Sequence, residues 1–128
     1  MTIIQPEGWP QPKGFANGVL AEGKSLHIAG QIGNDAADKI PDDLAAQIEQ
    51  ALANIVAVLA AAGAEPRHLV RLTWYMLDLA EYEARLRDIG GAYRRVMGRH
   101  FPAMSVVEVK RLVEPRAKVE IEATAVIP

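Results

Sequence analysis

The stretch ALANIVAVLAAAGAEPRHLVRLTWYMLD, residues Ala51–Asp78, changes its apolar period from three-and-four to two within one short turn. That change decides the fold class. Upstream, Leu44, Ile48, Ala51, Leu52, Ile55, Leu59 and Ala62 recur at helical spacing and make one apolar stripe. Asp42 or Asp43 can accept hydrogen bonds from the free N–H groups of the first turn. Gly63 supplies a left-handed stop, and Pro66 prevents the helix from continuing. HLVRLTWYML then alternates as a strand. Val70, Leu72, Trp74 and Met76 are expected on one face, with Leu69, Arg71, Thr73, Tyr75 and Leu77 on the other. Bulky residues on both faces predict that both are covered.

Working outward, Asp78 and Glu81 in DLAE have the spacing of a capping box that starts a second helix. Tyr82, Leu86, Ile89, Tyr93 and Val96 form its stripe, and Gly98 ends it. Gly90 and Gly91 inside that helix each cost about 1 kcal/mol against alanine, which close packing against a neighbouring backbone would explain. After the Phe101-Pro102 corner two strands are expected, Met104–Leu112 and Ala117–Ile127, with Pro115 in the turn between them. On the N-terminal side, FANGVL and SLHIAGQI read as two strands joined by a turn at Glu22, Gly23 and Lys24. Residues 1–12 hold Pro6, Pro10 and Pro12 around Trp9 and read as an irregular arm, with Trp9 either plugging an apolar surface or lidding a pocket. The order β-β-α-β-α-β-β, with two helices packed on one face of a mixed sheet, makes this a single α+β domain over 1–128. Two helices leave the opposite face bare, and Tyr75, Met104, Val106 and Leu112 are expected to lie on it. Self-association in a closed ring would cover it.

The totals narrow the function classes. Fourteen Lys and Arg against sixteen Asp and Glu give a net charge of −2, which supplies no electrostatic footprint for nucleic acid or an anionic membrane. No cysteine is present, so disulfides, thiolate nucleophiles and cysteine-ligated metals are excluded. His27, His68 and His100 lack metal-ligand spacing, and no spacing in the chain implies a metal or an organic cofactor. The N-terminus has no basic segment followed by an apolar one, and the apolar run Leu52–Ala62 is too short to span a bilayer; a cytoplasmic protein is expected.

Taken in order, AGQIGND (29–35), the helix-to-strand unit quoted above, FPAMSVVEVKRL (101–112) and KVEIEATAV (118–126) resemble the reactive intermediate deaminase (RidA, YjgF) family, with a likeness running from Lys13 to Val126. The resemblance implies a chorismate-mutase-like fold and a homotrimer with ligand clefts between subunits. It also implies hydrolysis of enamines and imines to a keto acid and ammonia. The family motif Pro-Ala-Arg-Ser, whose arginine grips the substrate carboxylate, falls on Pro102, Ala103, Met104 and Ser105. A family tyrosine falls on Phe15, a serine on Ala29, a cysteine on Val106 and an asparagine on Gly90. Gly30 is retained, and a glutamate thought to position water falls on Glu120.

Every departure removes polarity. Replacing arginine with methionine removes a bidentate carboxylate clamp, and a buried carboxylate without its partner costs about 2–5 kcal/mol. Methionine is flexible and polarizable, and suits an irregular apolar ligand. An alternative is that Met104 simply packs in the subunit interface. Arg71 and Arg99 are other cations near the motif; as solvated surface groups they need no role. Glu120 and Glu122 lie on one strand face about 7 Å apart, where either is able to accept a proton from water attacking a C=N or C=O carbon. Two functions follow. One is a trimer binding a small, largely neutral or apolar metabolite through Phe15, Ala29, Gly30, Met104, Ser105 and Val106. The other is a divergent hydrolase in which Glu120 activates water. RNA binding is disfavoured, because phosphate neutralisation and a stacking platform are both missing from the totals.

Overall fold

Asp43 opens the long helix. Its side chain accepts from the Ala46 N–H at 3.0 Å, and its backbone is extended, as a residue outside the helix must be. From there α1 runs Leu44–Ala61, and Gly63 at φ 73° turns the chain away. The computed structural model describes residues 1–128, and its strands are β1 Thr2–Ile4, β2 Gly18–Leu20, β3 Lys24–Gln31, β4 Leu69–Met76, β5 Ala103–Glu108 and β6 Val119–Ile127. Helices α2 Leu79–Ala84 and α3 Leu86–Met97 fill the crossover between β4 and β5, and a 3-10 turn, Pro66–His68, precedes β4. Four strands make a mixed sheet in the order β3-β6-β4-β5, with β4 and β5 parallel and the other pairs antiparallel. The α+β expectation stands.

Helices α1 and α3 pack together on one sheet face. Leu44, Ile48, Leu52, Ile55 and Leu59 of α1 meet Leu72, Trp74 and Met76 of β4 and the alternate residues Val119, Ile121, Ala123 and Ala125 of β6. Ala62, placed on the stripe by spacing, is the exposed cap residue instead. By length and hydropathy α1 is able to cross a membrane, and the described run is longer than Leu52–Ala62; its apolar stripe is spent on this core. Gln47 is the buried polar residue of the helix. Its amide donates to the carbonyls of Pro41 (2.8 Å) and Arg116 (3.1 Å) and accepts from the Lys118 N–H (2.8 Å), so it staples two loops to α1 with every bond made.

Four expectations need correcting. The arm is not wholly irregular, because Thr2-Ile3-Ile4 precedes its prolines and pairs antiparallel with β2. FANGVL and SLHIAGQI do give two strands with a short connection, but that connection closes no ladder, since β2 pairs with β1 in a separate two-stranded sheet. The second helix is two helices broken at Arg85, whose guanidinium bridges Asp43 and Asp88. Asp78 caps α2 through the Glu81 N–H, while the Glu81 carboxylate pairs with Lys118 and leaves the capping box half made. Finally, the first residues of β4 are out of phase. A register shift between Leu69 and Arg71 buries Leu69 and moves Val70 off the core face, as a bulge does.

Candidate functional site

The register of β5 settles where the motif residues stand. Met104 is paired with Leu72 and Val106 with Trp74, so both face the helices. They do not share the bare face with Tyr75, and Leu112 lies beyond the strand. Segment 13–16 is drawn alongside β5 by a parallel bridge between Ala16 and Ala103 and by the Ala16 N–H donating to the Pro102 carbonyl at 3.0 Å. That contact brings Phe15 over Met104, and together they open a cleft of about 500 Å3.

Aromatic rings line this cleft. Trp74 stacks on Tyr93 at 6.3 Å between centroids, Tyr93 stacks on Phe101 at 5.3 Å, and Tyr82 meets Trp74 edge-on at 6.5 Å. The Tyr93 hydroxyl donates to the His100 carbonyl at 2.5 Å, and the His100 ring meets the Leu69 carbonyl at 2.8 Å, which ties the end of α3 to the start of β4. Burial pushes the hydroxyls of Tyr82 and Tyr93 above the ordinary phenol range, so both stay neutral. The Trp74 indole N–H is buried without a partner. No carboxylate lines the cleft; its charged members are Lys13 and Arg94.

The remaining candidates are on the other sheet face. Thr73, Tyr75, Glu120 and Glu122 share it through the β4–β6 register, and Ser105 joins them opposite Thr73. The Tyr75 hydroxyl donates to Glu122 Oε1 at 2.5 Å, and the carboxylate beside it holds the phenol above its usual range. Arg71 reaches Ser105 Oγ at 3.5 Å and so stands away from Met104; it does not replace the missing arginine there. Arg99 is exposed. Gly30 lies over Glu120 at a register shift in β3: a Cβ added there would stand 2.6 Å from the Glu120 Cδ. Ala29, at the same irregularity, is exposed.

Within one chain, then, the predicted residues divide. Phe15, Met104 and Val106 line the aromatic cleft, whereas Gly30, Ser105 and Glu120 belong to the bare face. Tyr82, Tyr93 and Phe101, which spacing places on the helix stripe and at the corner, also line the cleft, as do Lys13 and Arg94, which no motif marks. A cluster of ring-bearing positions on the helix facing Trp74 was the available signal for the tyrosines.

Residues 10–127 match the family described as Endoribonuclease L-PSP. The chain belongs to that family. Its relatives include Protein DfrA of Myxococcus xanthus, 40% identical over 107 residues that cover 81% of this chain and 77% of that one. The 2-iminobutanoate/2-iminopropanoate deaminase of Escherichia coli is 36% identical over 108 residues, covering 81% and 80%. Among solved structures, YyfB of Yersinia pestis, a protein of the conserved Rid family, superposes with a TM-score of 0.86 at 35% identity and 98% coverage of both chains. The RidA/YjgF resemblance drawn from the motifs is therefore membership, and the fold is the family's.

Proposed function

We propose that this chain is a RidA-like homotrimer whose clefts bind a small metabolite with a largely neutral or apolar body, and that it does not deaminate short 2-imino acids. One observation carries the reading: Met104 lines an aromatic cleft with Phe15, Trp74 and Val106, and the cations of that cleft, Lys13 and Arg94, are exposed side chains rather than a buried clamp. A short imino acid held there would leave its carboxylate desolvated against sulfur and rings, at a cost of about 2–5 kcal/mol, or roughly 30- to several-thousand-fold. The trimer is supported by the division of the family positions between two sheet faces. A second copy laid against the bare face would bring Gly30, Ser105 and Glu120 to the edge of a neighbour's cleft and would cover Tyr75 and Val107.

A hydrolytic reading is favoured by Glu120 itself. Its carboxylate has no ion-pair partner and is given room only because residue 30 lacks a side chain. Such a group would take a proton from water as the oxygen attacks a C=N carbon, giving a carbinolamine that expels ammonia and leaves a carbonyl. Substrates for that step would be enamines or imines without a carboxylate at the reacting carbon.

Calorimetric titration with 2-oxobutanoate, a stable mimic of the imino acid, tests the reading. Wild type should give no heat of binding, and Met104→Arg should bind. Tight binding to wild type would overturn it.

A further inference from the structure

We infer that the cleft selects an aromatic carboxylate, its rings lying on the floor by Met104 and its anionic end held at the mouth by Lys13 and Arg94. This rests on the small-molecule reading above and deepens it by naming the ligand class. The observation is a separation of charge from depth. Trp74, Ile89 and Tyr93 at the floor are buried, whereas Lys13 and Arg94 are exposed, so the cations stand at the solvent end. Both are positive, no acidic residue lines the cleft, and the protein as a whole carries −2. Neither takes part in any ion pair, although Arg85, Arg95 and Arg116 all do. Arg94 also folds back toward the opening. Its Nη1 lies 3.5 Å from where a Cβ of Gly90 would stand, one helical turn earlier, and Gly90 is itself a lining residue. The glycine leaves open the turn of α3 that the guanidinium lies across.

The cleft therefore discriminates by size as well as charge. A two- to four-carbon acid reaching the floor meets only Met104 and rings, and one held at the mouth leaves the floor unfilled. An acid with a bicyclic aromatic body fits both, since a volume of about 500 Å3 accommodates it and the stacked rings offer faces and edges to pack against.

The matched pair 1-naphthaleneacetate and 1-naphthaleneacetamide tests this, since the two differ by one charge. Trp9→Phe leaves Trp74 as the only indole, so quenching of its fluorescence reports cleft occupancy on the intact chain, with calorimetry as a second measure. Each exposed cation contributes roughly two- to threefold, so the carboxylate should bind about fivefold tighter than the amide at low salt. The ratio should fall toward one in the Lys13→Gln/Arg94→Gln variant and at high ionic strength. It should stay at about five in Arg87→Gln, which removes one charge from α3 outside the cleft. Equal affinities in wild type, or a ratio unmoved by the double substitution, would overturn the inference and leave the small-molecule reading standing. Failure of both compounds to bind would overturn the small-molecule reading and the inference with it.

Discussion

Gly30 is where a single methyl group tests the placement of Glu120. A Cβ at residue 30 would lie 2.6 Å from the Glu120 Cδ and 2.8 Å from its Cγ, against an ordinary carbon–carbon contact of about 3.5–4.0 Å. The overlap is thus near 1 Å on both carbons, the Glu120 Oε2 clashes as well, and overpacking of that kind costs roughly 1–3 kcal/mol. Glu120 is only half-buried and is able to swing outward, which sets the expectation at about 1–2 kcal/mol for Gly30→Ala. At 128 residues that corresponds to a fall in Tm of about 3–6 °C per kcal/mol. Urea unfolding at fixed protein concentration should show a lower midpoint with an unchanged slope. The decisive arm is the double-mutant cycle. In a Glu120→Ala background the clashing atoms are gone, and the backbone at residue 30 is outside the left-handed region. Gly30→Ala should then be neutral, or stabilising by about 0.4–1 kcal/mol through the unfolded chain. An equal cost in both backgrounds would refute the contact and with it the account of why residue 30 is glycine.

Two further predictions concern the scaffold. Gln47→Leu removes the three hydrogen bonds that this buried amide makes with the Pro41 and Arg116 carbonyls and the Lys118 N–H, and should cost about 2–4 kcal/mol, read by urea unfolding; a loss below 1 kcal/mol would mean that the two loops are held by something else. Asp43 accepts from Arg85 and from the Ala46 N–H, and these hold its carboxyl below the ordinary 3.8. Because the folded value is the lower one, the stability it contributes is complete above 3.8 and is lost as pH falls through 3.8 toward the lowered value. Asp43→Asn keeps the helix cap and should flatten the stability profile in that acid window, as followed by thermal unfolding between about pH 5 and 2; an unchanged profile would contradict the assignment.

The elements that carry their own stop signals were legible in the sequence. For α1 the stripe, the Asp43 cap and the Gly63 stop are all local features, and all three hold except for Ala62 at the end of the stripe. Strand phase was harder. Ala103-Met104-Ser105-Val106-Val107 has no apolar–polar alternation, so nothing in it announces that Met104 looks toward the helices; only pairing with Leu72 settles this. At the start of β4 a bulge exchanged the roles of Leu69 and Val70, and a strict period of two has no way to show it. The break at Arg85 likewise carries no local stop signal; its guanidinium pairs with Asp43, forty-two residues away. For the same reason the motif named Phe15, Met104 and Val106 but not the charge at the mouth. Lys13 reaches the cleft through the bridge between Ala16 and Ala103, and Arg94 through a glycine one turn earlier. Neither contact has a signature in spacing.

The most direct test of the central claim is ammonia release from 2-iminopropanoate, generated in solution from alanine by an amino-acid oxidase, comparing wild type with Met104→Arg. The predicted result is no release above the uncatalysed rate for wild type and a clear gain for the arginine variant, which would show an intact scaffold whose residue 104 sets the substrate class. Release by wild type at an enzymatic rate would contradict the account, because a short imino acid would then be held productively in a cleft whose floor carries no charge.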